Sequence, residues 1–348
     1  MKLVQVVRCY GPVGGMERYV WELTLELRNL GHEVLVLCEV CLAEKPRGIT
    51  VHELGTIAPR PRWLALLRFG KRAARWLEEN PQPGWLIHSH ERLSSHHLTT
   101  FHGPPFATVR DMPWWRKASL RVAMQLYLER RELETAKHIV PNSPFIRERL
   151  AHYYPELAHK LTDPIVPGVA TTQLREARSV PTDGGVIGFV GREWQRKGLP
   201  LAVEVVARLR RTRPNLQLWV AGPASEEVQQ LFADWQGGYR LLGWSDQAPY
   251  AEFDVLLHPA KAEPYGMVIS EAMAAGVPVV ISDVCGAAAQ VTPDAGAVLP
   301  LAASSDAWVS AVDEQLRRST APPRFVRDWN EVAQEYENIY RSYFAEQP

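Results

Sequence analysis

Cysteine is scarce in this chain of 348 residues, which contains four of them, Cys9, Cys38, Cys41 and Cys285. Four scattered cysteines cannot form the dense disulfide framework of a small secreted protein. Cys38 and Cys41 make a CxxC pair, but no second CxxC and no neighbouring histidine pair completes a metal or redox site. We therefore interpret the cysteines as reduced thiols, which excludes the disulfide-rich secreted class.

The sequence also lacks a long hydrophobic run. No stretch of about 18 apolar residues occurs, and the opening MKLVQVV has neither the apolar length nor the cleavage site of a signal peptide. Lys and Arg together number 39, as do Asp and Glu, so the overall basicity typical of nucleic-acid-binding domains is missing. We expect a cytoplasmic protein that neither spans a membrane nor binds nucleic acid.

What the sequence does contain is short apolar runs that alternate with amphipathic stretches of helical length, a pattern typical of doubly wound parallel sheets. One set of strands extends from LVQVV (3–7) to HIVPNS (138–143), and a second set begins at GGVIGFVG (184–191). The polar segment VPGVATTQLREARSVPTDGG (166–185) separates them. We predict an α/β fold with two doubly wound, Rossmann-like parallel-sheet domains, 1–168 and 169–328, facing a cleft where such sheets bind ligands.

Two glycine-containing loops follow predicted strands. In RCYGPVGGMERYV, a strand leads into a glycine-rich turn and a helix start, whose free N–H groups suit a phosphate. In GFVGREWQRKG, Arg192 and Lys197 stand five residues apart before a helix and can clamp a diphosphate. An ordinary tight turn and a solvated basic turn are the alternatives. The GxGxxG fingerprint is missing, which argues against a nicotinamide oxidoreductase.

A third loop carries two acids. FDVLLHPAKAEPYGMVISEAMAAG reads as a strand, a loop with Glu263, and a helix from about 266 to 275 that holds Glu271. The main-chain N–H groups of Met267 and Val268 are free at this helix start and can bind phosphate oxygens. Because carboxylates accept hydrogen bonds from sugar hydroxyls, two acids at different depths fit a nucleotide sugar. The alternative is a helix N-terminal acid and a surface acid.

Histidine is frequent in HSHERLSSHHLTTFHG, which contains five of the eleven histidines. No HExxH motif is present, and His88 and His90 alternate on what reads as a strand end, so we do not expect a metal site. His102 differs from the others because TTFHG ends a strand on the side of the expected cleft. A functional histidine and a loop-packing histidine are the two interpretations.

The three loops and their order resemble those of the GT-B glycosyltransferases, specifically the retaining glycosyltransferase family 4. The resemblance extends over nearly the whole chain and is strongest from GREWQRKG through EPYGMVISEAMAAGVPVVISDVCG. One departure is that family members often have a glutamate a few residues after the glycine of the SDVCG turn, where this chain has AAAQ.

The resemblance implies a role for each loop of the second domain. Arg192 and Lys197 would bind the donor diphosphate, and Glu271 would hold the ribose. Glu263 would hold the transferred sugar together with backbone groups of the residues that follow it, Tyr265, Gly266 and Met267.

In the first domain, the resemblance implies that Gly14 and Gly15 cap the phosphates. It also implies that His102 lies near the reacting sugar, where it would orient a donor hydroxyl or stabilise charge. The closing FVRDWNEVAQEYENIY resembles the terminal helices of the family, so we expect the helix at 329–348 to pack back on the first domain.

The expected activity is transfer of a hexose from a nucleotide diphosphate sugar to an acceptor hydroxyl, with retention of anomeric configuration. The predicted catalytic residues are His102, Glu263, Arg192 and Lys197. We expect a UDP-sugar as the donor substrate, no cofactor and no metal. The acceptor is expected to be a glycan or a lipid-linked molecule in bacterial cell-surface polysaccharide or lipopolysaccharide core synthesis.

Two basic stretches of the first domain carry aromatic residues. IAPRPRWLALLRFGKRAARWL (57–77) has six Lys and Arg and no acid, and VRDMPWWRKASLRVAMQLYLERR (109–131) has a tryptophan pair. Basic helices with aromatic side chains can lie on anionic lipid, which would place the protein at the inner face of the cytoplasmic membrane. The alternative, that their apolar faces pack on the sheet, is equally open.

Two other functions compete with a transferase. One is another GT-B enzyme, such as a nucleotide-sugar epimerase, which would form product without an acceptor. The other is a non-catalytic module that binds nucleotide sugars. The joint presence of Glu263, Glu271, Arg192 and Lys197 argues against the non-catalytic module.

Overall fold

The structure, a computed structural model, describes residues 1–81, 83–170, 173–176, 179–245 and 248–346. The chain divides into two compact units. Unit 1 comprises Met1–Gly168 and Arg327–Pro348, and unit 2 comprises Val169–Val326. Parts of two predicted segments lie outside the described residues: 171–172 and 177–178 of the linker, and 347–348 of the terminal helix.

Unit 1 contains a six-stranded parallel sheet with helices between its strands. The strands are β1 (Lys2–Tyr10), β2 (Glu33–Cys41), β3 (Ile49–Glu53), β4 (Leu86–Ser89), β5 (Leu98–Phe101) and β6 (His138–Pro141). The helices are α1 (Met16–Asn29), α2 (Arg62–Glu79), α3 (Trp114–Lys117), α4 (Leu120–Thr135) and α5 (Pro144–Tyr153). The strand order is β3-β2-β1-β4-β5-β6.

Unit 2 contains a second six-stranded parallel sheet. Its strands are β7 (Gly184–Val190), β8 (Asn215–Ala221), β9 (Tyr239–Gly243), β10 (Val255–His258), β11 (Val279–Ser282) and β12 (Gly296–Leu299). Its helices are α6 (Leu199–Leu209), α7 (Ser225–Val228), α8 (Met267–Ala274) and α9 (Ser305–Leu316). The strand order is β12-β11-β10-β7-β8-β9.

The two sheets have the same topology. In each, the first strand lies in the middle, the next two lie in order towards one edge, and the last three lie in order from the middle to the other edge. The order therefore reverses between β1 and β4 in unit 1 and between β7 and β10 in unit 2. In open α/β sheets, ligands bind outside the carboxyl ends of the strands that flank this reversal. The predicted fold class of two doubly wound parallel sheets is confirmed.

The strands are nearly continuous apolar runs because helices cover both faces of a parallel sheet. In β1, Val4 and Val6 are fully buried and pack in one cluster with Phe69 of α2. Burial of a Phe side chain contributes roughly 1.5–3 kcal/mol to stability. Gln5 lies between the two valines and is also fully buried, so its amide needs hydrogen-bond partners inside unit 1.

The terminal helix, α10 (Trp329–Ala345), belongs to unit 1. Asp328 caps it by accepting a hydrogen bond from the Glu331 N–H at 2.8 Å. Its buried side chains recur every three or four residues, as expected for one face of a helix. The aromatic members of this face are Trp329, Tyr336, Tyr340 and Tyr343.

Some elements differ from those predicted. Strand β1 continues to Tyr10, where its backbone pairs with Cys41 of β2, so the RCY segment is strand and the turn follows it. Strand β12 was not predicted because GAVL is a short edge strand whose outer side has no neighbour in the sheet. The helix predicted for about 266 to 275 spans Met267–Ala274.

The loops after β7 and β10 touch through their backbones at Gly198. This glycine has φ +84° and precedes α6. A Cβ atom added there would lie 2.0 Å from the carbonyl oxygen of Pro259, which follows β10. Only glycine allows this approach. Residues with a side chain rarely adopt the left-handed backbone conformation, and the Pro259 carbonyl could move away from an added Cβ only if the main chain shifted.

We predict that Gly198→Ala destabilises unit 2 more than Gly237→Ala does. Gly237 has a similar φ of +76° but nothing within 4 Å of an added Cβ, so its substitution should cost roughly 1–2 kcal/mol, the price of the left-handed conformation. Gly198→Ala adds a backbone overlap and should cost roughly 3 kcal/mol or more. Urea unfolding followed by tryptophan fluorescence measures both, and equal losses would contradict the close approach.

Candidate active site

The loop after β7 carries the predicted cationic residues of unit 2. Arg192 is exposed, whereas the Lys197 side chain is only 14% exposed. Lys197 folds back across Gly191, where an added Cβ would lie 2.1 Å from the Lys197 Cδ. The missing side chain at Gly191 therefore makes room for the lysine stem.

Glu263, in the loop after β10, is the buried anion that Lys197 meets. Its Oε2 lies 3.4 Å from the Lys197 Nζ, 3.6 Å from an Arg196 nitrogen and 3.4 Å from the His258 Nε2. Glu263 is 7% exposed and His258 is fully buried. A buried carboxylate stays ionised only when such partners surround it.

Burial by itself would raise the pKa of Glu263, but the nearby Lys197, His258 and Arg196 lower it to about 2. The carboxylate is therefore ionised at neutral pH. Burial also lowers the pKa of His258, despite the attraction of Glu263, so His258 is neutral and donates its Nε2–H to the carboxylate. Lys197 and Arg196 supply the compensating positive charge.

Arg196 ties the two loops of unit 2 together. Its Nε donates to the Glu193 carboxylate at 2.7 Å, and one guanidinium nitrogen donates to the carbonyl of Ala262. Its own carbonyl accepts a hydrogen bond from the Lys261 N–H at 2.8 Å. Because of these bonds, Arg196 holds the Glu263 loop against the Lys197 loop.

The start of α8 lies directly after Glu263. Gly266 is its N-cap residue, with φ +96° and no side chain to cap the helix. The N–H groups of Met267 and Val268 belong to the first turn, where an α-helix provides no internal acceptor. They form a natural site for an anionic oxygen.

The turn that begins the AAAQ segment braces the same loop. The N–H of Gly286 donates to the Glu263 carbonyl at 3.0 Å, and the N–H of Ala287 donates to the Tyr265 carbonyl at 2.8 Å. Gly286 and Ala287 are both buried. In this chain the small residues of the turn support the Glu263 loop through their backbones.

The other predicted acid, Glu271, lies in the middle of α8 and is partly buried. Its Oε2 accepts a hydrogen bond from the Tyr250 hydroxyl at 2.6 Å. Tyr265 is buried, and its hydroxyl lies 2.8 Å from the Ser270 hydroxyl. Unit 2 thus brings Lys197, Glu263 and the α8 start together, and Glu271 follows along the same helix.

In unit 1, Gly14 and Gly15 precede α1, after the end of β1. Gly14 has φ +72°, and Gly15 is the N-cap residue with no side-chain hydrogen bond to the helix. Both glycines are exposed. The Glu17 carboxylate lies at this helix start, since it accepts a hydrogen bond from its own main-chain N–H and a Cβ added at Gly14 would lie 2.7 Å from its oxygen.

His102 follows β5 and is half-buried. Its Nε2 lies 2.8 Å from the Nδ1 of His90, and its ring meets the ring of Tyr19 edge-on, with centroids 4.8 Å apart. Burial lowers the pKa of His102 to about 3, so the imidazole is neutral at physiological pH.

A cavity of about 670 Å³ opens beside His102 within unit 1. Met16 and Glu17 of α1, Glu91 after β4 and Arg62 of α2 also line it. Burial raises the pKa of Glu91 to about 7, although Arg8 counteracts this rise. The cavity combines carboxylates and guanidinium groups, as a site for a hydroxylated and charged ligand would.

The sequence interpretation missed several residues of these arrangements. His258 lies at the end of the predicted strand FDVLLHP, and Arg196 lies between Arg192 and Lys197 in GREWQRKG, but neither was predicted to contact Glu263. Gln5 and His90 were hidden in strand-like segments, and no local signal pointed to Tyr19. Within the described ranges, no group of three or more His, Cys, Asp or Glu side chains is arranged to hold a metal ion.

The two basic stretches differ in the structure. The first includes α2, whose apolar face, with Leu66 and Phe69, is buried in unit 1. The second leaves its tryptophan pair in solvent, with Trp114 73% exposed and Trp115 65% exposed, and Leu120 beside them 68% exposed. None of the helices in the described part of the chain is long and apolar enough to cross a membrane.

Comparisons with known families match both units. Residues 13–173 match the family model described as Glycosyltransferase Family 4. Residues 184–318 match the model described as Glycosyl transferases group 1. The first match includes the start of α1 and His102, and the second includes Lys197, Glu263 and α8.

Among curated relatives, phosphatidyl-myo-inositol mannosyltransferase of Mycolicibacterium smegmatis is 27% identical over an alignment of 374 positions, gaps included, that covers 94% of this chain and 90% of that protein. The lipopolysaccharide core biosynthesis glycosyltransferase LpsE of Rhizobium meliloti is 33% identical over 153 residues, 41% of this chain and 43% of that protein.

Solved structures share the fold. WaaG, a glycosyltransferase involved in lipopolysaccharide biosynthesis, superposes with a TM-score of 0.79 at 18% identity, covering 97% of this chain and 95% of that chain. Alr3699/HepE of Anabaena, solved in complex with UDP and glucose, has a TM-score of 0.71 at 17% identity, covering 98% and 100%.

The fold, the paired strand-end loops and these matches define the chain as a GT-B glycosyltransferase. It belongs to the glycosyltransferases built from a Family 4 domain followed by a group 1 domain. The predicted membership of the GT-B family and the predicted glycosyltransferase activity are confirmed. The roles of individual residues and retention of configuration stay predictions.

We predict that Glu263→Gln changes how the stability of the protein depends on pH. The pKa of Glu263 is about 2 in the folded chain against an ordinary 4.5, so its ionised form stabilises the fold fully above about pH 4.5. That stabilisation is lost as the pH falls from about 4.5 to about 2. Glu263→Gln should lack this loss and, because the largely buried Lys197 loses its counter-charge, be less stable at neutral pH by roughly 3–5 kcal/mol.

The free energy of unfolding, measured by urea between pH 2 and pH 7, checks this expectation. Glu204→Gln is the matched control, because Glu204 is an exposed acid of α6 in the same unit and its substitution should keep the wild-type pH dependence. If Glu263→Gln and the wild type lost stability in parallel in acid, the ion-pair account of Glu263 would be wrong.

Proposed function

We propose that this glycosyltransferase moves a hexose from a UDP-sugar to an acceptor hydroxyl, with retention of anomeric configuration. One observation carries the proposal: Lys197 pairs with buried Glu263, whose side chain lies against Gly266 at the uncapped start of α8. A fixed ammonium group and free backbone N–H groups next to each other are what a diphosphate requires.

The diphosphate is proposed to bind between these groups and Arg192. Lys197 acts as a positive point charge, whereas the exposed Arg192 guanidinium can donate two parallel hydrogen bonds to phosphate oxygens. Met267 and Val268 add main-chain donors at the start of α8. Because Glu263 holds Lys197 in place before the substrate arrives, little reorganisation is needed during the reaction.

In the proposed reaction, the bond between the sugar C1 and the β-phosphate oxygen breaks and a bond between C1 and the acceptor oxygen forms. The acceptor proton passes to the departing phosphate oxygen on the same face of the sugar. The negative charge that develops on the diphosphate is stabilised by Lys197 and Arg192, so no metal ion is required. The anomeric coupling constant of the product, determined by proton NMR, checks retention.

The two acids are proposed to bind sugar hydroxyls. Glu271, whose carboxylate already accepts from Tyr250, would take the ribose hydroxyls with its remaining acceptor capacity. Glu263 would accept from the transferred hexose. With a pKa of about 2 and three cationic or donor neighbours, Glu263 is a weak nucleophile, which favours a hydrogen-bonding role over covalent attack.

The choice of a UDP-sugar draws support from HepE, which has been solved with UDP and glucose. The acceptor is proposed to bind in the cavity of unit 1 beside His102, where Glu17 and Glu91 can accept hydrogen bonds from sugar hydroxyls. LpsE is named as a lipopolysaccharide core enzyme. We therefore propose a lipopolysaccharide-type or other lipid-linked glycan as the acceptor. The carboxylates and guanidinium groups that line the cavity can bind its hydroxyl and charged groups.

We also propose that the segment with Trp114 and Trp115 rests on anionic lipid. Its apolar side chains are exposed, and Arg116, Lys117 and Arg121 beside them are exposed as well. Tryptophan partitions into the interface of a bilayer while basic side chains meet lipid phosphates. A lipid-linked acceptor would then reach unit 1 from the membrane surface.

We predict that Lys197→Ala lowers turnover of UDP-sugars roughly 100-fold or more, because one preorganised group that stabilises the leaving diphosphate is lost. UDP should also raise the melting temperature of the wild type, since it binds the folded state, and raise that of Lys197→Ala much less. Release of UDP and the melting temperature of each variant are measured with and without acceptor.

Lys261→Ala is the matched control, since Lys261 is an exposed lysine of the neighbouring loop, and it should behave like the wild type. Full activity in Lys197→Ala would refute the diphosphate clamp. Formation of a new nucleotide sugar without acceptor would identify an epimerase. UDP binding with neither hydrolysis nor transfer would identify a non-catalytic module.

We predict that the Trp114→Ala and Trp115→Ala double variant binds vesicles containing anionic phosphatidylglycerol at least about tenfold more weakly than the wild type. Two large apolar side chains that would enter the bilayer interface are removed, each contributing more than about 1 kcal/mol. Co-sedimentation with anionic and with neutral vesicles measures the change.

Trp244→Ala is the matched control because Trp244 is 60% exposed but lies in unit 2. It should leave vesicle binding unchanged. Equal binding of the wild type and the double variant, or no binding of either, would exclude the lipid-facing role of the tryptophan pair.

A further inference from the structure

His102 is one end of a continuous hydrogen-bonded network inside unit 1. Its Nε2 lies 2.8 Å from the His90 Nδ1, and the His90 Nε2 lies 2.9 Å from the Gln5 Oε1. The Gln5 Nε2 donates in turn to the Tyr340 hydroxyl at 3.2 Å. His90 and Gln5 are 4% and 0% exposed, so water does not replace these bonds.

The amide of Gln5 sets the direction of the hydrogen bonds. Because its nitrogen donates to Tyr340, its oxygen is left to accept, and the His90 Nε2 must carry the proton. A neutral His90 protonated at Nε2 has a bare Nδ1, which accepts from His102. The proton of neutral His102 is therefore on Nε2, and its Nδ1 is bare.

The histidines of the network are neutral. Burial lowers the pKa of His102 to about 3 and holds the pKa of His90 well below its ordinary value, with His88 and His102 adding repulsion. Tyr19 of α1 and Tyr336 and Tyr340 of α10 face these rings without adding charge. The charged residues of the cavity beside them are Arg8, Glu17, Arg60, Arg62, Glu91, Arg92 and Glu132.

The terminal helix holds the other end of the network. The Tyr340 hydroxyl lies 2.8 Å from the His88 Nδ1, and the His88 Nε2 lies 2.8 Å from the Thr100 hydroxyl. Thr100 lies 2.6 Å from the Tyr336 hydroxyl, which is 2.8 Å from that of Tyr19. The same Tyr19 packs edge-on against the His102 ring.

We infer that Gln5, His90 and Tyr340 are positioning residues that hold His102 as the Nε2–H tautomer, with Nδ1 presented as a hydrogen-bond acceptor to a sugar hydroxyl. The substrate part of this inference rests on the proposed transfer of a hexose and on the role that the family resemblance implies for His102, contact with a hydroxyl of the transferred sugar. His102 lines the cavity of unit 1. Its protonated Nε2 donates to His90 inside the protein.

This arrangement decides between the two roles open to His102. A bare nitrogen on a neutral ring accepts an O–H and repels a phosphate oxygen. His102 therefore orients a hydroxyl group, and the charge of the leaving group is left to the cationic groups of unit 2. The terminal helix takes part because the Tyr340 hydroxyl accepts the hydrogen bond of the Gln5 amide nitrogen.

The tautomer is tested without substrate by nitrogen NMR of the whole enzyme labelled with ¹⁵N-histidine, with the His102 signals assigned from their loss in His102→Gln. We expect a bare Nδ1 and a protonated Nε2 at pH 7. Gln5→Met removes the acceptor of His90, so the proton of His102 should shift partly to Nδ1. Gln125→Met, the same change at a buried glutamine of unit 1 outside the network, should leave the His102 signals unchanged.

A protonated Nδ1 in the wild type, or a Gln5→Met spectrum like that of the wild type, would overturn the inference even if the enzyme transfers sugar. Conversely, the expected spectra would stand if UDP-sugars proved not to be donors. The structural role and the proposed function can therefore fail separately.

The hydroxyl contact is tested with UDP-glucose and its monodeoxy analogues. Loss of the one hydroxyl that His102 binds should lower kcat/KM of the wild type about tenfold, the cost of one hydrogen bond. His102→Asn keeps an acceptor at the δ position and should retain part of this discrimination, whereas His102→Gln keeps only the anchor to His90 and should lose it. Equal discrimination by both variants would contradict the assignment of Nδ1.

Discussion

A carboxylate stays ionised inside a protein only when cations or hydrogen-bond donors surround it, and unit 2 is organised around this requirement at Glu263. Lys197 and Arg196 reach the carboxylate from the loop after β7, and His258 reaches it from the end of β10. The two loops are distant in sequence but follow the strands that flank the reversal of strand order. The pairing that satisfies this buried charge links a lysine, through Glu263, to the start of α8, where we propose that a diphosphate binds.

In unit 1 the buried polar groups that need hydrogen-bond partners are neutral. Its sheet is apolar, yet Gln5, His88 and His90 lie in its interior, fully buried or nearly so. Each buried polar atom in such a place needs a partner, and α10 supplies hydroxyl groups from Tyr336 and Tyr340. The terminal helix is therefore more than a cover for apolar surface, because its hydroxyl groups complete the hydrogen bonds that orient His102.

The two basic stretches show why composition alone does not assign a surface. Both combine Lys and Arg with large apolar side chains. The helix α2 turns Leu66 and Phe69 into the core of unit 1, while Trp114 and Trp115 stay in solvent. The two stretches differ in exposure because α2 packs against the sheet, whereas the short α3 buries none of its own residues. An exposed tryptophan pair is costly in water and is retained more readily where it has a binding partner.

The sequence by itself determined the alternating strands and helices, the two parallel sheets and the loops that hold Lys197, Glu263 and His102. These features are local, because hydrophobic period, glycines and helix starts are read within a few residues. Only the tertiary structure decided the partners: His258 and Arg196 for Glu263, and His90, Gln5 and Tyr340 for His102. Those contacts join side chains from different elements, and no local pattern records which buried polar groups will meet once the strands are aligned.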